Sequence, residues 1–161
     1  MKIISAALKI HHLTNLNTSI IDQDGEFIFH HETISIPTFM LGANDTDISN
    51  FFKEINPQSD QLFSYTNRWG LDYLSYSFTM EKEYMIIIGP YMERTSNVAH
   101  LTRQYHLNNN ESEDLNVFLN QIQILNVDKI HSYSSIIQLF NMFAEKDTTP
   151  IQIEQNEMDD K

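Results

Sequence analysis

Ile20-Ile21-Asp22-Gln23-Asp24-Gly25-Glu26-Phe27-Ile28-Phe29 is two apolar runs joined through an Asp-Gly pair. Asp-Gly supplies the positive-φ position that a tight hairpin turn requires, so residues 18–22 and 26–31 read as paired strands. Further along, Glu83-Tyr84-Met85-Ile86-Ile87-Ile88-Gly89-Pro90-Tyr91 carries the unbroken apolar run of a strand covered on both faces. Gly89-Pro90 is expected to end that strand at Ile88. Between these segments, residues 61–66 are rich in aromatics and Asn67-Arg68-Trp69-Gly70 reads as a turn. Residues 71–80 alternate, with Leu74, Tyr76, Phe78 and Met80 on one face and Tyr73, Ser75, Ser77 and Thr79 on the other. Short turns such as Glu81-Lys82-Glu83 imply antiparallel pairing.

Around the strands the period becomes helical. Ile3, Ile4, Ala7, Leu8 and Ile10 mark a helix over residues 3–13. Ile48, Phe51, Phe52 and Ile55 mark a second, expected to begin at Asp45 or Thr46. It should end at Asn56-Pro57, because the residue before a proline is pushed out of the α region. Ser96 or Asn97 is placed to cap a helix over 98–106, and Asn110 with Glu113 has the form of a capping box leading into Leu115, Phe118, Leu119 and Ile122. Over residues 127–145, Ile130, Tyr133, Ile136, Ile137, Phe140 and Phe143 form one broad apolar stripe. The expected fold class is therefore α+β: a five-stranded antiparallel sheet with flanking helices and a helical C-terminal third. One domain is expected over residues 1–145, followed by an acidic, disordered tail or linker over 146–161.

Composition narrows the chemistry. The chain has 161 residues, 22 acidic against 10 basic, for a formal charge of −12. A field of that sign repels nucleic-acid phosphates and anionic lipid alike, so neither nucleic acid nor membrane is an expected partner. Cysteine is absent, which removes disulfide scaffolds, thiolate catalysis and Cys-based metal sites. Ten Phe and 7 Tyr supply large buried areas for a core. Lys9, His11 and His12 interrupt the N-terminal apolar run too early for a signal peptide, and no stretch reaches the roughly 18–20 apolar residues that cross a bilayer. A soluble, cytoplasmic protein is expected.

No G-x-S-x-G elbow, P-loop or dinucleotide glycine pattern occurs, and there are only 4 glycines. His11-His12 and His30-His31 are adjacent pairs, which offer one ligand each to a shared site, and there is no H-E-x-x-H. Asp22 and Asp24 suit a turn, and Asp45 and Asp47 a helix start. No catalytic, metal-binding or cofactor-binding residue is therefore assigned, and no enzymatic activity is expected. Ligand binding is the sharper expectation. Tyr65, Arg68, Tyr73, Tyr76, Phe78 and Tyr84 lie on or between the later strands, where rings and hydroxyls suit a small organic ligand between sheet and helices. Arg68, with Arg94, is the candidate anchor for an anionic group. The same rings also serve as ordinary cross-strand core pairs.

His12-Leu13-Thr14-Asn15-Leu16, then Ser19-Ile20-Ile21-Asp22 with Asp24-Gly25, and later Ile86-Ile87-Ile88-Gly89-Pro90-Tyr91, resemble the PAS/GAF-like N-terminal sensory region of Firmicutes AraC-type transcriptional regulators. The likeness spans about residues 5–143. It implies a regulatory sensory domain that binds a small molecule, forms a homodimer and signals through its C-terminal helices. In that family the pattern continues into a helix-turn-helix domain, which this chain lacks, so direct DNA binding by this chain is not expected. The competing expectation is a non-catalytic dimerisation or protein-interaction domain without a ligand.

Overall fold

The computed structural model describes residues 2–54 and 62–147. Helix α1 (Lys2–Thr14) leads into the hairpin β1 (Thr18–Asp22) and β2 (Phe27–His31), followed by α2 (Thr38–Glu54). Strands β3 (Leu62–Thr66), β4 (Asp72–Thr79) and β5 (Glu83–Tyr91) come next, then α3 (Val98–Gln104), α4 (Asn109–Gln121) and α5 (Val127–Asp147). The strands form one antiparallel sheet in the order β2-β1-β5-β4-β3. This α+β arrangement is the expected one and is compatible with a PAS/GAF-like sensory fold.

The first hairpin turns where Asp-Gly demands it. Gly25 has φ +81°, and Asp22 Oδ1 accepts hydrogen bonds from the Asp24 and Glu26 amides at 2.9 and 3.0 Å, the Asx geometry that favours Asp in turns. β5, the most apolar strand, lies third of five in the sheet, where both faces are covered.

Three boundaries differ from the sequence reading. α2 opens at Thr38, so Asp45 and Thr46 lie inside it. Pro37 starts the helix: its fixed φ suits a first turn, and its carbonyl accepts from the Met40 amide at 3.0 Å. The expected end at Asn56-Pro57 lies outside the described residues. The capping box uses Asn108 and Glu111, not Asn110 and Glu113; Asn108 Oδ1 accepts from the Glu111 amide (2.8 Å) and Glu111 Oε1 from the Asn108 amide (3.0 Å). The run Asn-Asn-Asn-Glu-Ser-Glu offers both registers, and the earlier one is taken. Third, β5 continues through Gly89-Pro90 to Tyr91, because it takes up one extra residue opposite the stretch of β4 between Asp72 and Leu74 and then resumes pairing. α5 runs on to Asp147, and the remainder of the expected tail lies outside the described residues.

Apolar side chains collect on both sheet faces. On one, Ile20, Leu74, Tyr76, Phe78, Ile86 and Ile88 meet α1 and α5 through Ile3, Ala7, Ile10, Tyr133 and Ile137. On the other, Ile21, Tyr73, Met85 and Ile87 meet Ile48 of α2. A third cluster joins Met40, Trp69, Leu71 and Met92 to α3 and α4. No described helix is long and apolar enough to cross a membrane.

Candidate functional site

α1 and α5 lie side by side on one sheet face, and they leave the β3 edge of that face open beneath the first turns of α5. A cleft of about 400 Å³ results. Its floor is Leu62, Ser64 and Thr66 of β3 with Leu74 of β4, alternate positions that all face α5. Its helical wall is Val127, Ile130, His131 and Ser134. Asp72, Tyr91 and Glu93 close one end.

The β5 irregularity builds that end. Between Thr79↔Glu83 and Leu74↔Ile88 the β4–β5 hairpin keeps one register, in which even-numbered residues of both strands face α1 and α5. Past Leu74 the register shifts, and Asp72 pairs with Tyr91 instead of Pro90. The extra residue reverses the alternation, so odd-numbered Tyr91 joins the even-numbered face and enters the α1/α5 cluster. Gly89 makes the shift possible. Its φ is +137°, and a Cβ there would lie 2.7 Å from Tyr73 Cδ2 and 2.8 Å from the Asp72 carbonyl oxygen.

Tyr91 is 3% exposed as a residue; no described residue bonds its hydroxyl, which is not among the fully buried polar atoms and opens to the cleft. Burial, reinforced by the carboxylates of Asp72 and Glu93, pushes its phenol up to about 12, so it stays protonated at neutral pH. Asp72 Oδ1 accepts from Thr66 Oγ1 at 2.6 Å. The helical wall is anchored beside this end of the cleft. The Leu125 amide donates to the Met92 carbonyl (2.8 Å) and the Met92 amide to the Gln123 carbonyl (3.0 Å). The Tyr133 hydroxyl sits 3.1 Å from the Thr14 carbonyl oxygen and 3.0 Å from Gln123 Oε1, tying α5 to the end of α1. A shallower groove of about 530 Å³ borders only the connection into α5 and its first turns, so nothing in it would touch a strand.

The six ring and cation positions singled out from the sequence do not converge. Tyr65 and Tyr73 lie on the α2 face, their rings 6.2 Å apart. Tyr73 is buried there and its hydroxyl accepts from Asn44 Nδ2 at 2.8 Å; burial raises its phenol far above the ordinary range. Arg68 is exposed and forks onto the Asp47 carboxylate at 3.0–3.3 Å. Arg94 is exposed as well. Tyr76, Phe78 and Tyr84 sit on the opposite face, the first two buried with their rings 5.9 Å apart. None of the six lines the 400 Å³ cleft.

The histidine pairs do meet across elements: His11 of α1 and His31 of β2 stack edge to face at 4.3 Å. Ser19 Oγ lies 2.6 Å from His30 Nδ1, and His30 Nε2 lies 3.4 Å from Glu32. This chain has the residue types of a hydrolytic relay without its surroundings. Ser19 is buried in β1 directly opposite His30, between two strands whose ladders engage the neighbouring amides, so no pair of free N–H groups faces its hydroxyl. It is a cross-strand polar pair. Among the described residues no group of three or more His, Asp or Glu is arranged to hold a metal ion. No protein-family model matches the chain, and a comparison with curated proteins finds no match.

Proposed function

We propose that this chain is a regulatory sensory domain, cytoplasmic and non-catalytic, that takes a small ligand into the cleft between β3–β4 and α5 and reports its presence through α5. One observation carries this reading: the last described helix is itself a wall of the cleft, so a ligand touching Val127, Ile130 and Ser134 bears directly on α5. The helix is pinned near its start by the Met92–Gln123–Leu125 hydrogen bonds and by Tyr133, and Ile137 and Phe140 seat its later turns on the same core, so a shift at its first turns is transmitted along one packed helix. A ligand shifts such a helix only through unequal affinity for two placements of it, which contact with the helix wall would supply. In line with the resemblance to AraC-type regulators, the output is transcription regulation by a partner domain, with DNA contacts made elsewhere than on this acidic surface.

Native mass spectrometry of the purified protein, paired with hydrogen exchange, tests the reading. Wild type should retain a small molecule that Ser64→Trp, which fills the cleft from an exposed strand position, does not. Exchange over residues 128–135 should rise when the ligand is removed. Retention by an equally stable Ser64→Trp variant, or unchanged exchange in α5, would reject it.

A second reading rests on another face of α5. Leu139, Met142 and Phe143 are each about half exposed at 49–51%, at i, i+3, i+4 spacing. These side chains suit a homodimer contact, as in a pure dimerisation domain. Leu139→Glu with Met142→Glu would convert a dimer to a monomer in the same mass spectra if this face forms the interface.

A further inference from the structure

We propose that the cleft under α5 is a receptor site for a small primary amine with an apolar body, its ammonium held by Asp72, Glu93 and the Tyr91 hydroxyl. The inference rests on the sensory reading above and names the ligand class for the same site. Three acceptors stand at one end of the cleft, matching the three N–H donors of a primary ammonium. Asp72 receives a hydrogen bond from Thr66 on Oδ1 alone among the described residues, which leaves Oδ2 open. Tyr91 is the independent observation: a residue 97% buried that lines the cleft on the face Asp72 occupies, its hydroxyl open to the cleft and bonded by no described residue. A ligand polar group entering the cleft meets that hydroxyl with its hydrogen-bonding capacity uncommitted within the protein.

Charge and walls select the rest of the molecule. Among the described residues lining the cleft none is Lys or Arg, while Asp72 and Glu93 are acidic, so an anionic ligand is repelled. Leu62, Leu74, Val127 and Ile130 make the remainder apolar, suited to a hydrocarbon or aromatic body of phenethylamine size. Ser64 and Ser134 lie along it as hydroxyl contacts. His131 stands on the helical wall and can meet the ligand with a ring nitrogen. A quaternary ammonium has no N–H to offer the three acceptors and fits less well.

Isothermal titration of the full chain with 2-phenylethylamine, 2-phenylethanol and 3-phenylpropionate separates the alternatives. The amine should bind saturably, at least about tenfold tighter than the neutral alcohol, given two partly exposed carboxylates beside the charge. The carboxylate should not bind. Asp72→Asn and Glu93→Gln should each weaken the amine by about tenfold, Tyr91→Phe should weaken it severalfold, and rising salt should weaken it further. Melting temperatures of the variants, measured alongside, separate lost binding from lost folding. Equal affinity for alcohol and amine, or wild-type affinity in a folded Asp72→Asn/Glu93→Gln protein, overturns the amine assignment and leaves the sensory reading intact. If none of the three probes binds at millimolar concentration, the amine assignment also falls. The sensory reading falls with it only if native mass spectra show no retained molecule that Ser64→Trp loses.

Discussion

Replacing Gly89 by Ala tests whether the close approach of β5 to β4 builds the cleft. The added Cβ would stand 2.7 Å from Tyr73 Cδ2, 3.1 Å from Tyr73 Cγ and 2.8 Å from the Asp72 carbonyl oxygen. Neither neighbour yields cheaply. The Tyr73 ring is buried, with its hydroxyl held by Asn44, and the other contact is backbone. Overpacking of this kind costs about 1–3 kcal/mol, and a side chain at φ +137° adds about 1–2 kcal/mol of backbone strain. The expected loss is about 4 kcal/mol, a large part of the roughly 5–15 kcal/mol that holds a domain together. For a chain of this size it lowers the melting temperature by about 10 °C or more. Gly70→Ala is the internal control. Gly70 has φ +78° but nothing within 4 Å of a built Cβ, so only the backbone strain of about 1–2 kcal/mol applies. Thermal and guanidinium unfolding by circular dichroism measure both. In Gly89→Ala, the displaced Asp72 should also reduce amine affinity, whereas Gly70→Ala should leave it unchanged. Equal destabilisation of the two variants would refute the steric argument and, with it, the account of how Tyr91 reaches the cleft.

Asn67→Ala should cost about 3 kcal/mol in guanidinium unfolding, because Asn67 Oδ1 accepts from the buried Trp69 and Leu71 amides at 3.0 and 2.9 Å and its Nδ2 donates to Asn44. Asn67→Asp keeps both amide acceptors and should cost less. Gly42→Ala, inside α2 with open space around it, should stabilise the protein by about 0.5–1 kcal/mol through helix propensity, read as a higher unfolding midpoint. Burial holds His11 below its ordinary value of 6.5; its hydrogen bond to the Leu16 carbonyl opposes the shift, and His31, His12 and His30 add to it. The unfolded chain therefore binds this proton more readily. The contribution of His11 to stability is present above pH 6.5 and is lost as pH falls through the lowered folded value, so His11→Gln should flatten the acid side of the stability profile.

The strands were legible because period-2 alternation and Asp-Gly or Asn-Arg-Trp-Gly turns are local signals, and Leu74/Tyr76/Phe78 against Tyr73/Ser75/Ser77 already sorts β4 into two faces. That same alternation argues against gathering Tyr73 and Tyr76 in one pocket, since residues three apart on a strand point to opposite sides. The start of α2 was hidden because Pro37 and Gly42 bracket a stretch whose pattern favours no element, although proline suits a helix's first turn and glycine in its interior is only mildly unfavourable. The cleft had no sequence signature at all. Asp72 and Glu93 flank two strands that only hairpin pairing brings together, and which sheet edge α5 leaves open is decided by how α1 and α5 share the face.

Gly89-Pro90 shows where the limit of a sequence reading falls. Taken as a stop, it ends β5 at Ile88 and leaves Tyr91 in a loop without a role. In the folded chain it marks a point where one strand gains a residue on its partner, and gaining one residue is the smallest change that moves a side chain from one face of a sheet to the other. Glycine is required there because the shifted strand passes too close to Tyr73 and Asp72 for any Cβ. The stretch that looked least chemical, with no reactive group in it, thus decides which face receives the Tyr91 phenol and so which ligand charge the cleft accepts. Inserting one residue between Pro90 and Tyr91 should carry the tyrosine one position past Asp72 and turn it to the opposite face of the sheet. Such an insertion should abolish amine binding while Tyr91→Phe only weakens it, and equal losses in the two variants would detach the strand register from recognition.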